Sequence, residues 1–160
     1  MLKANLKKSH IKTPYHCGDL MIKIVETVKE LRDAKWVRIR VFQREQGINI
    51  ARDFDDKDPE SIHIVAYLAE MPVGTARMRL LEDGAGKIER VAVLKEFRKR
   101  GIGKQLIKYA LYVLKSERIK IARLSSQEPV KNFYKQFGFS EFGDVFDDAG
   151  IRHIMMEKIL

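Results

Sequence analysis

No apolar run in the chain approaches the roughly 18 residues a membrane span requires, so a membrane partner is not expected. The stretch Met1–Tyr15 contains no apolar core of the kind a secretory leader carries, and a cytoplasmic location is the expectation. There is a single cysteine, Cys17, which excludes an internal disulfide and stands beside no metal-ligand partner at useful spacing. Glycine and proline are scarce, at 10 and 4, and no repeat, linker or low-complexity tract interrupts the chain. Acids are missing from the first 13 residues, where Lys3, Lys7, Lys8 and Lys12 crowd together. What remains is 160 residues of ordinary globular composition, 45% hydrophobic and 33% charged, enough for one domain over 1–160 with a single core. Residues 1–18 read as a flexible basic extension of it.

The net charge of +9 is unevenly spread. Arg98, Lys99, Arg100, Lys104 and Lys108 surround the one glycine-rich stretch, while acids gather at Asp53, Asp55, Asp56 and Asp58 and again at Asp144, Asp147 and Asp148. That segregation suggests an anion site and a separate cation site.

Hydrophobic periodicity predicts a strand over Leu20–Val25 and a helix over Val28–Gln46, stopped by Gly47. An acidic loop, Arg52–Glu60, follows. Ile62–Ala69 and Val73–Leu81 read as a hairpin, and Gly84–Gly86 turns the chain into a strand over Lys87–Leu94. Next come an amphipathic helix over Ile102–Glu117, a strand over Ile119–Ser126 and a short helix over Val130–Phe137. Strands over Phe139–Phe142 and His153–Ile159, around a turn at Asp147–Gly150, close the chain. This order predicts a mixed α/β layer structure.

The chemistry centres on Arg98-Lys99-Arg100-Gly101-Ile102-Gly103-Lys104, between a strand and a long helix. A pyrophosphate needs several backbone N–H groups turned toward one point, and a helix N-terminus supplies them with a favourable dipole. Glycines at 101 and 103 remove β-carbons that would hold the anion away and permit positive φ. The loop is neither a nucleotide-hydrolysing P-loop, since Arg98 and Gln105 replace its first glycine and its Ser/Thr, nor a dinucleotide fingerprint, since Leu106 replaces the third glycine. A basic turn capping a helix is the simpler alternative.

The run Ile88-Glu-Arg-Val-Ala-Val-Leu-Lys-Glu-Phe-Arg-Lys-Arg-Gly-Ile-Gly-Lys-Gln-Leu106 resembles motif A of the GNAT N-acetyltransferase superfamily, and Val130-Lys-Asn-Phe-Tyr-Lys-Gln-Phe-Gly-Phe139 resembles its motif B. The resemblance covers roughly 20–160. Arg40–Gly47, Ala76–Arg79 and Gly150–Met155 look like a small bacterial branch of acetyltransferases, in which Ser125-Ser126-Gln127 replaces a common His-Ala-Gln. It implies a mostly antiparallel sheet of six to seven strands, splayed like a V near Val91–Leu94 and Leu124–Ser126, with helices on both faces. It also implies acetyl-CoA as cosubstrate and no metal. The pantetheine arm would pair with the Val91–Ala92–Val93 strand, the pyrophosphate would rest on Arg98 to Lys104, and Asn132 would contact the cofactor. Tyr134 matches the position of a general acid for the departing thiolate, or is a tyrosine packed on the sheet. For the base, Glu89 comes first and Glu45 second, and either is equally a structural carboxylate paired with a cation.

The acceptor is expected to be a primary amine, on a small molecule or a protein, met by an acidic rim of Glu45, the Asp53–Asp58 cluster (Asp55 and Asp56 foremost) and Asp144–Asp148. Two rival readings are a non-catalytic acyl-CoA-sensing module of the same fold and a nucleic-acid binder. The basic residues cluster at the phosphate loop without interleaved aromatics, so no specific nucleic acid is expected. A homodimer is compatible with the superfamily, and His63 and His153 are too isolated to imply a metal.

Overall fold

The computed structural model describes residues 13–160, so the lysines of the basic extension lie outside the described residues. Eight strands form one sheet in the order β1-β2-β3-β4-β5-β6-β8-β7. They are β1 (Tyr15–Cys17), β2 (Leu20–Ile24), β3 (Ile62–Leu68), β4 (Met71–Leu80), β5 (Gly86–Val93), β6 (Ile121–Gln127), β7 (Ser140–Asp148) and β8 (Ile151–Ile159). Every neighbouring pair is antiparallel except β5–β6. The helices are α1 (Val28–Arg38), α2 (Ile50–Asp53), α3 (Ile102–Ser116) and α4 (Lys131–Lys135).

Side-chain alternation decides which helix covers which face. In β3, Ile62, Ile64 and Ala66 join Ile102, Leu106, Ala110 and Val113 of α3 in the main core. The intervening Val65 and Tyr67 pack with Ala34 of α1 on the opposite face. Thr27 and Glu30 cap α1 reciprocally, each side chain bonding the other's backbone N–H. Nothing breaks that helix at Arg38; it widens into a π-helical segment, Ile39–Glu45, that reaches the end of β5.

Three sequence expectations need correction. Tyr15–Cys17 pairs with Leu20–Ile22 as an edge strand, so the basic extension ends earlier than residue 18. With this strand the sheet has eight strands, not six to seven. The stretch 52–60 is not an open acidic loop, because Asp53, Asp55 and Asp58 fold inward onto arginines.

Arg38 is fully buried and binds Asp53 and Asp58, each at 2.8 Å. Arg77, 1% exposed, binds Asp55 at 2.6 Å, the same Asp58 oxygen at 2.7 Å and Glu89 at 2.7 Å. Glu89 also receives Arg79 and Lys87, each at 3.0 Å. Burial alone would raise both Asp55 and Glu89. The hydrogen bonds and charges of Arg77 and Arg90 pull Asp55 down to about 2, and those of Arg79, Lys87 and Arg77 do the same for Glu89. His63, buried beneath the network with Nε2 3.0 Å from the Asp58 carbonyl, is shifted down by desolvation.

Both carboxyls are depressed in the folded state, so their stabilisation is present above the ordinary value and lost as pH falls toward the folded one. For Glu89, a drop from 4.5 to about 2 corresponds to about 3 kcal/mol. Urea unfolding is therefore expected to show stability falling between pH 5 and pH 2, with a visibly flatter slope in Glu89→Gln. An unchanged slope in that variant would mean Glu89 is not ionised in the folded network.

Candidate active site

β5 and β6 pair at only three positions, Gly86–Ala122, Lys87–Arg123 and Ile88–Leu124. Beyond them the strands separate, giving the expected splay, so Glu89–Val93 has a partner strand on one side only. The N–H of Leu94 bonds the Val73 carbonyl of β4. Strand alternation then turns the backbone groups of Val91 and Val93 toward the gap and those of Ala92 toward β4. An edge of this kind can take an amide-bearing ligand arm as an added strand.

One residue interrupts that edge. Thr75 pairs with Ala92 but Arg77 pairs with Glu89, so Arg90 and Val91 stand opposite Ala76 alone, a β-bulge. Arg90 has φ +54°, the left-handed region, which is costly for a residue with a β-carbon. Its guanidinium bonds the carbonyls of Arg52 at 2.7 Å and Asp53 at 3.2 Å and the carboxylate of Asp55 at 3.3 Å. Those contacts hold the bulge and fasten it to the segment after α1. In the sequence nothing distinguishes Arg90 beyond its being an arginine set among strand residues.

At the end of β5 the chain makes a single turn, Lys95–Phe97, and enters the basic loop. Lys99 and Gly101 take φ of +62° and +78°, whereas Gly103 is helical. No side chain caps α3, which leaves the N–H groups of Ile102, Gly103 and Lys104 without an intrahelical acceptor. A β-carbon at Gly101 would meet open space, and one at Gly103 would come 3.5 Å from the Phe133 ring. The loop thus has the free donors, the dipole and the charge to seat a pyrophosphate. Arg98 sits differently from a free phosphate ligand: its Nε donates to the Val93 carbonyl at 2.9 Å, and its two terminal nitrogens clamp Glu45 at 2.6 and 2.7 Å. Arg100 lies over the Phe97 ring at 5.1 Å. A crevice of about 480 Å³ adjoins this end, lined by Arg40, Arg44, Lys95, Glu45 and Glu96 around Val41 and Leu94.

On α4, Asn132 is exposed and Tyr134 half-buried. Tyr134 packs edge-on against Phe133 at 5.1 Å and Phe139 at 6.3 Å, and burial pushes its phenol up to about 12. The carboxylates placed at the site from sequence fare otherwise. Glu89 is surrounded by three cations and held near 2, which unsuits it as a proton acceptor. Glu45 is lowered by its hydrogen bonds from Arg98. Asp55 is bound by Arg77 and Arg90. Asp56 keeps the more exposed carboxylate, with Lys57 at 3.8 Å, while Glu45 is exposed but clamped by Arg98.

The bulge yields a direct test. Arg90→Gly and Arg90→Ala lose the same contacts, but only glycine relieves the left-handed backbone. The glycine variant should therefore be more stable than the alanine variant by about 1 kcal/mol in urea unfolding. Equal midpoints would show that the backbone flips once the side chain is gone.

The profile of an Acetyltransferase (GNAT) domain matches residues 30–160. The chain is 37% identical over 136 residues to the uncharacterized N-acetyltransferase YjcF of Bacillus subtilis, covering 84% of this chain and 96% of that one. Among solved structures, Escherichia coli ElaA superposes with a TM-score of 0.78 at 26% identity, covering 87% of this chain and 99% of its own. An acyl-CoA N-acyltransferase from Pseudomonas aeruginosa gives the same TM-score and identity, with 88% and 98% covered. The splayed sheet, the bulge and the uncapped basic helix accordingly belong to an acyltransferase, and the chain is a member of the GNAT acetyltransferase family.

Proposed function

We propose that the chain transfers the acetyl group of acetyl-CoA to a primary amine by direct attack within one ternary complex. The observation that carries this reading is the continuity of the β5–β6 gap with the uncapped N-terminus of α3. A slot with a free strand edge ends at an anion seat, which suits a thin amide-bearing arm that terminates in a pyrophosphate. The acyl-CoA N-acyltransferase from Pseudomonas aeruginosa, similar over nearly its whole length, supports the same class of donor.

Acetyl-CoA supplies the activated thioester carbonyl. Val91 and Val93 offer their gap-facing backbone groups to the pantetheine amides, and the amides of the Lys99–Lys104 loop and helix start, with their lysines and arginine, take the pyrophosphate. An N–H at the Arg90–Val91 bulge faces the carbonyl oxygen, where negative charge grows as the amine attacks. The new C–N bond forms as the C–S bond breaks, and Tyr134 gives its phenolic proton to the departing sulfur. No described side chain hydrogen-bonds that phenol, and with its pKa raised to about 12 it stays protonated through the working range. Glu89 and Glu45 are committed to cations, so the ammonium gives up one proton to solvent water before attack, the nitrogen gives up a second to solvent once the C–N bond has formed, and Tyr134 regains its own from solvent afterwards.

Calorimetry with acetyl-CoA, CoA and 3′-dephospho-CoA tests the donor site. Binding that weakens about tenfold or more in Gly101→Asp is expected, with the fold retained and destabilised only by the ~1 kcal/mol that a β-carbon costs at φ +78°. Absence of binding to every CoA species would end the acyltransferase proposal. Tyr134→Phe should lower kcat by about 100-fold while leaving acetyl-CoA affinity unchanged; full turnover in this variant would remove the acid. With solvent as the base, log(kcat/KM) should rise with unit slope toward the pKa of the amine and show no descending limb below about pH 10. A plateau beginning near neutrality would instead identify a side-chain base.

A further inference from the structure

On the face of the sheet that carries α1, the helix packs on β3, β4 and β5, and β6, β8 and β7 extend beyond it. Directly opposed residues share a face, as do residues two apart along one strand. The register therefore puts Ser125, Met155 and Phe142 in one row across β6, β8 and β7, and Gln127, His153 and Phe146 in the next. Gln127 donates to Gln46, just past the π-helical segment, at 3.1 Å, which places both rows on the α1 side. The other face of these strands is core, with Leu124, Ile154 and Met156 buried.

Phe142 and Phe146 come together because β7 is irregular. Three residues, Gly143 to Val145, stand opposite Ile154 alone, so rings four apart in sequence fall in adjacent rows. Each phenylalanine is 38% exposed, and Phe146 stacks on the His153 ring at 5.9 Å with 25° between planes. At the inner end of the first row, where β5 and β6 part, the Ser125 hydroxyl is buried with no hydrogen-bond partner among the described residues. Segment 140–148 carries no basic residue; Glu141 is paired with Lys131 and Lys135 and Asp148 with Arg52, and Asp144 and Asp147 are in no ion pair among the described residues. A second copy pairing edge to edge along β7 would set acid against acid, whereas a cation is attracted.

We propose that this aromatic shelf selects the acceptor: a primary amine joined by a short chain to an aromatic or bulky apolar group, its body on Phe142 and Phe146 and its nitrogen at Ser125. The proposal rests on the acyltransferase reading and names the substrate class of that site. Two strand spacings separate the Ser125 and Phe142 columns, about 10 Å, which matches a phenyl ring on an arm of about four carbons. Polyhydroxylated amines lack the apolar body that the rings would cover.

The test is calorimetric titration of the full chain, with and without CoA, using 4-phenylbutylamine, butylamine and glucosamine. The phenyl compound should bind about tenfold more tightly than butylamine, and Phe146→Ala should remove most of that advantage while leaving butylamine and CoA affinity unchanged. The same ranking is expected in kcat/KM. Equal binding of butylamine or glucosamine, or a Phe146→Ala protein that keeps the preference, would overturn the proposal. So would a stable dimer in sedimentation that Phe146→Ala dissociates, because a second copy would then occupy the shelf. Amine binding without CoA binding would leave the shelf standing and end the acyltransferase reading, so the two failures are distinguishable.

Discussion

Asp58 accepts two arginines on one oxygen, and the arrangement of the active face depends on that contact. Arg38 comes from the end of α1 and Arg77 from the middle of β4, and both are buried. Two buried guanidinium groups are tolerable only if carboxylates accompany them, because a desolvated, unpaired charge costs several kcal/mol. The segment from the end of α2 to β3 provides three, Asp53, Asp55 and Asp58, and β5 adds Glu89. The segment is therefore drawn down onto the sheet, where Arg52 and Asp53 present their carbonyls to Arg90. Helix, loop and bulge are positioned by one set of charges.

That pairing explains which parts of the site were legible in the sequence. The phosphate loop was, because Gly101 and its basic neighbours are contiguous and their requirements are local. Helix α3 and the hairpin of β3 and β4 were legible for the same reason, since periodicity is read within a single element. The roles of Glu89 and Asp55 were not. A carboxylate near a cofactor strand looks the same in sequence whether it accepts a proton or binds an arginine, and their partner Arg77 lies 12 and 22 residues away. The edge strand Tyr15–Cys17 escaped notice because three residues carry no periodicity. The π-helical end of α1 escaped because its apolar spacing there, Ile39, Val41 and Phe42, fits an ordinary helix as well.

The correction also alters the electrostatics of the two sides of the site. With Asp53, Asp55, Asp58, Glu45 and Glu89 all bound to cations, the segment after α1 no longer offers a negative rim. On the hairpin of β7 and β8, Asp144 and Asp147 are in no ion pair among the described residues, while Glu141, Asp148 and Glu157 are paired, and cations remain around the loop that opens α3. The segregation visible in the sequence survives in space, with the acidic side reduced to its part near the end of the chain.

The three-residue pairing of β5 with β6 reaches beyond the shape of the gap. Among the described residues it is the only parallel pairing, and it divides the sheet into a five-stranded wing, β1 to β5, and a three-stranded wing, β6, β8 and β7. Each wing is internally antiparallel, while α3 packs on the larger one. Across the division run a few ties, among them Arg123 to Asp83, Gln127 to Gln46 and Arg52 to Asp148. The protein is thus built like a book with a short spine, whose smaller cover is held shut mainly by the core residues Leu124, Ile154 and Met156. A molecule held between the covers bonds to both, so occupancy of the gap becomes a contribution to the cooperativity of the whole fold.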